Sequence, residues 1–312
     1  MVRHMTRKDS ATENDTRSIG SKLLILLAGI LWGCMGLFVR TLNDRGLSSW
    51  DIVFLRAVLT TVFMAVILFV KDRKLFRIRL KDLWCFLGTG LLSIVFFNLC
   101  YFTEITITSL SVAAILLYTA PAFVMIISAF CFKEKLTKIK LASLFISFIG
   151  LVFVTGVIGG SDTITTKALF IGLGAGLGYA LYSIFGRYAL KRGYTSATIS
   201  FYTFLFASFG TVLFAKPANV WEVSTGSLKI AALSVAFVLV STVIPYLVYT
   251  QGLKKVENGQ ASIIASVEPV VATLNGIFWF HEDMSWTVAV GVVLVLTGIT
   301  LSNLRFKNKK SL

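Results

Sequence analysis

Charge is what this sequence has least of. Only 14% of its 312 residues are Asp, Glu, Lys or Arg, against roughly a quarter in a soluble domain, so a water-exposed surface cannot be built from it. Four prolines, two histidines and 26 phenylalanines exclude a disordered or collagen-like chain. Cys34, Cys85, Cys100 and Cys131 all fall inside apolar segments without metal-ligand spacing, which reads as small buried side chains rather than disulfides or a redox pair. With His4 and His281 far apart in the chain and no His/Cys/acid cluster, there is no metal site, cofactor site or catalytic nucleophile to support a membrane-embedded enzyme. The alternating glycines Gly172, Gly174, Gly176 and Gly178 follow no soluble strand. They are a close helix contact, not a dinucleotide fingerprint.

What is present is apolar: 56% of the residues, with a mean hydropathy of +0.82. The pattern predicts an all-α membrane protein of ten transmembrane helices. The spans run Leu23 to Leu42, Ile52 to Val70, Leu83 to Phe102, Ile107 to Phe132, Leu141 to Ile158, Ala168 to Ala189, Ala197 to Ala215, Ile230 to Leu253, Ala261 to Phe280 and Trp286 to Leu304. Each has about the length that crosses ~30 Å of hydrocarbon. The polar residues 1–21 lack the apolar core of a signal peptide, residues 22–158 and 168–305 hold five spans each, and 306–312 form a basic tail.

Basic residues outnumber acidic ones 30 to 15. Between membrane spans, this excess points to the anionic inner leaflet rather than to nucleic acid. Placing the N-terminus inside puts 24 Lys and Arg in inner segments and five in outer loops, with Arg56 inside a helix. The expectation is a multi-pass protein of the cell membrane with both termini cytoplasmic. Nothing in the pattern fixes an oligomeric state.

A shift of 147 residues aligns helices 1 and 2 with helices 6 and 7. Nine of the 27 positions from 28 to 54 are then identical, including Gly29/Gly176, Arg40/Arg187, Arg45/Arg192 and Gly46/Gly193. A shift of 148 pairs helices 4 and 5 with 9 and 10 through Pro121/Pro269, Glu134/Glu282 and Gly150/Gly298, and also pairs Tyr101 with Tyr249. Because a five-helix unit has an odd number of crossings, the second copy enters upside down, giving an inverted 5+5 repeat. That architecture is characteristic of secondary transporters, whose substrate binds near the midplane between halves.

Trp32-Gly33, Arg56, Pro121 with Glu134 thirteen residues on, and Glu268-Pro269 with Glu282 and Gly298 resemble the two tandem EamA units of the drug/metabolite transporter superfamily. The resemblance covers about residues 22 to 305. It implies a ten-helix basket moving small metabolites, with amino-acid exporters frequent among its members. Helices 4 and 9 usually end in Gly-Glu in that family; here they end in Lys133-Glu134 and His281-Glu282.

Arg56 lies seven residues into helix 2, hence ~10 Å below the outer boundary. A charge at that depth faces the bundle interior or a water-filled cavity. It suits a clamp for carboxylate or phosphate, or else a structural pairing with helix carbonyls. Glu268, ~14 Å into helix 9, is the one acid so far from any helix end. It could hold a coupling proton, bind a substrate amine, pair with Arg56, or serve as a neutral hydrogen-bonding group beside Pro269. Pro121, Pro245 and Pro269 interrupt helices 4, 8 and 9 and are candidate hinges. Trp32, Asn98, Tyr101, Tyr179 and Tyr182 complete the expected substrate site, with Trp32 and Tyr179 repeat-equivalent. Tyr118, Tyr246, Tyr249 and Asn275 are further polar side chains away from helix ends. Without an ATP-binding motif, the expected driving force is the substrate's own gradient or proton exchange. The partners are then a small-molecule substrate, membrane lipids and, in the exchange case, protons. An efflux pump for cationic or aromatic compounds is the alternative if Arg56 lies outside the pocket; a lipid flippase could use the same cavity.

Overall fold

Long apolar segments in hydrocarbon must satisfy their own backbone, and only helices or closed barrels do so. The computed structural model of the chain describes residues 19–155, 165–281 and 285–303, and all regular structure among them is helical. The principal helices are α1 (Ile19–Asn43), α2 (Ser49–Lys71), α3 (Leu80–Ile107), α4 (Ser111–Phe132), α5 (Lys138–Val154), α6 (Thr166–Lys191), α7 (Ser196–Thr211), α8 (Leu228–Gly252), α9 (Asn258–Phe280) and α10 (Trp286–Asn303). Eight are long and apolar enough to cross a membrane; α5 and α7, with 17 and 16 residues, are shorter.

Several expected boundaries move. α5 begins at Lys138 and α7 at Ser196, because Thr137 and Thr195 cap those ends through their side chains. α7 stops at Thr211 rather than Ala215, and Pro217–Thr225 is a separate helix. Pro217 opens that helix, where its missing N–H costs nothing, and Val220 joins it to the buried cluster that includes Leu42, Leu47 and Ile52. Ile158, Glu282, Leu304, His4 and most of both tails lie outside the described residues. Of the cysteines, only Cys85 is buried. Cys34 and Cys100 are half-buried and Cys131 is exposed, on a helix surface where lipid tolerates a thiol as a small apolar group.

Close packing between the halves depends on missing side chains. A Cβ on Gly150 of α5 would lie 2.7 Å from Val295 N and 2.8 Å from Gly291 O of α10; one on Gly298 would lie 2.8 Å from Ser143 O. The contacts run in opposite chain order, so α5 and α10 are antiparallel. α2 and α7 are antiparallel as well: Trp50 stacks on Phe214 at 4.5 Å, Thr61 Oγ1 and Ser208 Oγ are 3.5 Å apart, and Thr198 donates to Leu75 O at 3.0 Å. The α6 glycines serve two neighbours. Gly172 and Gly176 meet Leu116 and Thr119 of α4, whereas Gly174 and Gly178 meet Cys100 and Phe97 of α3.

Backbone irregularities recur at matched positions. Gly46 (φ 94°) and Gly193 (φ 89°) stand 147 residues apart; Lys133 (φ 57°) and His281 (φ 55°) stand 148 apart. Both latter residues stand where the family that the sequence resembles usually has the Gly of a Gly-Glu ending, and both adopt the left-handed cap that favours Gly. α4 breaks at Tyr118–Thr119 and α9 at Ser266. α3 and α8 each contain a π-helical stretch, Gly88–Val95 and Leu239–Val243, ending at equivalent residues.

Gly150→Val places side-chain atoms against the α10 backbone, which cannot rotate away, and overpacking of this kind costs about 1–3 kcal/mol. A lower Tm in detergent is expected for Gly150→Val, with no decrease for Gly20→Ala, where nothing lies within 4 Å. An unchanged Tm for Gly150→Val would rule out this close crossing.

Candidate functional site

A broken helix frees backbone polar groups that need partners, and these breaks gather around one space. Ser93 and Ile94 of the α3 π-stretch, Tyr118 of the α4 break, Ser266 of the α9 break, and Trp32 and Gly33 beside the turn at Cys34 in α1 all line a cavity of about 600 Å³. That volume is in the range of small-molecule sites. Exposed Arg40, Asn43 and Ser49 mark its mouth, with Phe280, and Ser183 and Ser262 stand at its far end.

Besides Arg40 at the mouth, two charge-bearing side chains project into this space. Arg56, 5% exposed, comes from α2; its Nη1 donates to Met35 Sδ at 3.3 Å, and its Nε has no hydrogen-bond partner. Glu268 stands in the first turn after the α9 break. Close approach of α1 fixes that turn, since a Cβ on Gly33 would lie 2.6 Å from Glu268 O. Glu268 Oε2 accepts from the Tyr179 hydroxyl at 2.7 Å. Among the described residues, no ion pair within 4 Å joins Arg56 to Glu268.

Aromatic rings form much of the wall. Trp32 packs on Tyr246 and Tyr249 at 5.3 and 5.2 Å, and Tyr246 on Tyr182 at 4.9 Å. Phe97 lies between Tyr101 and Tyr179, at 5.8 and 5.6 Å. The Trp32 indole N–H is buried without a partner, and a buried donor of that kind has a use for an acceptor brought by a ligand. Asn98 donates back to Ile94 O at 2.7 Å, which leaves its carbonyl oxygen available to the cavity it lines.

All seven residues expected at the site, Trp32, Arg56, Asn98, Tyr101, Tyr179, Tyr182 and Glu268, line this cavity; so do Tyr118, Tyr246, Tyr249 and Asn275. Pro121 lines it too, at the start of Ala120–Phe132, while Pro245 and Pro269 begin helical segments without lining it. Sequence reading misses Ser93, Ser183, Ser262 and Ser266, since serines are common on helix contacts and only the fold distinguishes a cavity-facing one.

The EamA-like transporter family matches this chain over residues 20–156 and again over 166–304. The chain belongs to that family. It is a multi-pass membrane transporter, not an enzyme. An uncharacterized transporter of Archaeoglobus fulgidus is 27% identical over 298 residues, covering 89% of this chain and 94% of that protein. Uncharacterized transporter YxxF of Bacillus subtilis is 25% identical over 91% of this chain and 90% of its own length. Uncharacterized inner membrane transporter YicL of Salmonella typhimurium is 22% identical over 90% and 94%. A crystal structure with 16% identity superposes with a TM-score of 0.76 over 91% of this chain and 96% of its own, which establishes a shared fold.

Proposed function

We propose that this protein is a secondary transporter of small polar or amphipathic metabolites, with amino acids or their derivatives as the leading class, working as an exporter by alternating access. The observation that carries this reading is the cavity itself: it holds Arg56 and Glu268 among aromatic rings and opens toward Arg40. A carboxylate would be received by the Arg56 guanidinium and an amine by Glu268, with the apolar part of the substrate on the rings. Because Arg56 lies inside the pocket, a zwitterion suits it better than the purely cationic compounds of a multidrug pump.

The matched backbone irregularities and the antiparallel pairs α2/α7 and α5/α10 support ten crossings in an inverted 5+5 arrangement. On that reading the cavity opens to the outside, both termini are cytoplasmic, and the breaks at Pro121, Pro245 and Pro269 are the hinges by which the two halves exchange conformations. A reporter fused after Leu312 and a probe in the Lys71 to Lys81 loop should both report cytoplasm. Detecting either on the outer face would sink the inverted arrangement.

Two substitutions test the site in proteoliposomes supplied with a panel of amino acids. Arg56→Ala is expected to reduce transport of carboxylate substrates by tenfold or more, about the loss of one charge-assisted hydrogen bond, while the protein stays folded. Normal transport by Arg56→Ala would leave Arg56 a structural role only. Glu268→Gln keeps size and hydrogen bonding but removes titration. It should abolish dependence on a pH gradient while leaving some substrate exchange; full gradient-driven transport with an unaltered pH profile would exclude coupling through Glu268.

A further inference from the structure

The end of the bundle opposite the cavity mouth is closed by a cluster that the substrate site does not use. One helical turn beyond Ser183, the Arg187 guanidinium reaches across the turn between α8 and α9. It donates through Nη1 to Leu253 O, through Nη2 to Val256 O at 2.7 Å and through Nε to Asn258 Oδ1 at 3.0 Å. Its Nη2 also lies 3.5 Å from Glu134 Oε1 at the end of α4. Glu134 in turn accepts from Asn258 N at 2.8 Å and Gly259 N at 3.1 Å, capping α9 from another helix. The left-handed turn at Lys133 immediately precedes Glu134 and redirects the chain there. The Arg187 and Glu134 side chains are 13% and 8% exposed.

Arg187 has a repeat counterpart, Arg40, at the other end of the bundle. Arg40 stands at the cavity mouth with its guanidinium 4.0 Å over the Phe280 ring. Two related arginines thus occupy the two ends of the bundle, each in contact with the other half: Arg187 with Glu134 at the closed end and Arg40 with Phe280 beside the opening. In an inverted repeat, the two halves exchange conformations during the cycle.

We propose that Arg187, Glu134 and Asn258 form a latch that holds the far end shut while the Arg40 end is open, and that this latch separates once in every transport cycle. The proposal rests on the alternating-access reading above. Arg187 and Glu134 are positioning residues: they touch the ends of α8 and α9, not the substrate, and set which end of the cavity is open. Charge-assisted bonds to backbone carbonyls and N–H groups suit this task, because they satisfy two helix ends at once and are replaceable by water when the end opens.

A crosslink tests the movement directly. A Cβ on Gly259 would lie 3.8 Å from Met125 Cα, close enough for Met125→Cys/Gly259→Cys to join α4 to α9 in a protein whose four native cysteines are replaced. Oxidation should lower exchange of radiolabelled L-phenylalanine about tenfold or more, as expected when one of two states is removed, and reduction should restore it. An oxidised protein, verified by mass, that exchanges at more than half the reduced rate overturns the latch. A second measurement needs no substrate. In the same cysteine-free protein carrying Ser262→Cys, Arg187→Gln should raise alkylation by an impermeant maleimide from the latch side by about tenfold through a shifted population. An unchanged rate in folded, monodisperse Arg187→Gln protein also overturns it. If reduced and parent proteins both fail to exchange phenylalanine while Arg187→Gln still raises alkylation, the substrate reading fails and the latch stands.

Discussion

Hydrocarbon supplies no hydrogen-bond partner, so each place where a helix in this bundle stops being regular has to be satisfied from within the protein. That single requirement organises the structure. The α1 turn at Cys34 leaves Gly33 O without its usual donor, and Asn275 of α9 reaches over at 3.2 Å to supply one. In α4, Thr119 Oγ1 donates to Leu116 O at 2.6 Å, and in α9, Ser266 Oγ donates to Ser262 O at 3.1 Å. The ends of α8 and α9 draw on Arg187 and Glu134. Irregular backbone at membrane depth is tolerable only against protein or a water-filled space; the breaks of α1, α3, α4 and α9 lie on the cavity, and the α8 π-stretch is buried against protein.

The charged residues obey a related rule. Arg56 and Glu268 carry the charge inside the cavity, while Asp82 and Asp51 lie at helix ends with several donors each. Asp82 accepts from Arg79, Arg192 and Tyr194 at 2.8 to 2.9 Å. Asp51 caps its own helix and accepts from Lys216 N at 2.7 Å. These end clusters are saturated and tie neighbouring segments together. Arg56, with one sulfur acceptor and an unpartnered Nε, is under-satisfied by comparison, and a buried guanidinium in that condition favours a ligand that brings an anion.

Much of this architecture was legible in the residues because membrane helices announce themselves by length and because duplication leaves identities at a fixed offset. Arg56, Glu268 and the tyrosines stood out since polar groups are rare in such segments, and all of them line the cavity. Other features left no comparable trace. Pro245 signals the irregularity of α8, yet the α3 counterpart of Pro245 is Phe97, so the π-stretch of Gly88–Val95 has no proline to announce it. The helix Pro217–Thr225 is too short and polar to register by hydropathy. The α6 glycines reveal a close contact but not that alternate glycines serve α3 and α4. Arg187 reads as one more positive charge in an inner loop, because its partners lie 53 to 71 residues away in the chain.

The two halves share their backbone far more closely than their chemistry. The left-handed caps at Lys133 and His281, the turns at Gly46 and Gly193 and the ends of the π-stretches are paired. Glu268 is not: Ala120 stands at its repeat position in α4, and Thr203 stands at that of Arg56 in α7. On the alternating-access proposal a feature that serves the motion occurs in both halves, whereas a group that holds substrate at a shared cavity is needed once. The unpaired polar residues therefore separate from the paired ones on physical grounds. Trp32 and Tyr179 fall between the two classes, aromatic in both halves but different in what they offer, an unpartnered indole N–H in one and a hydroxyl held by Glu268 in the other.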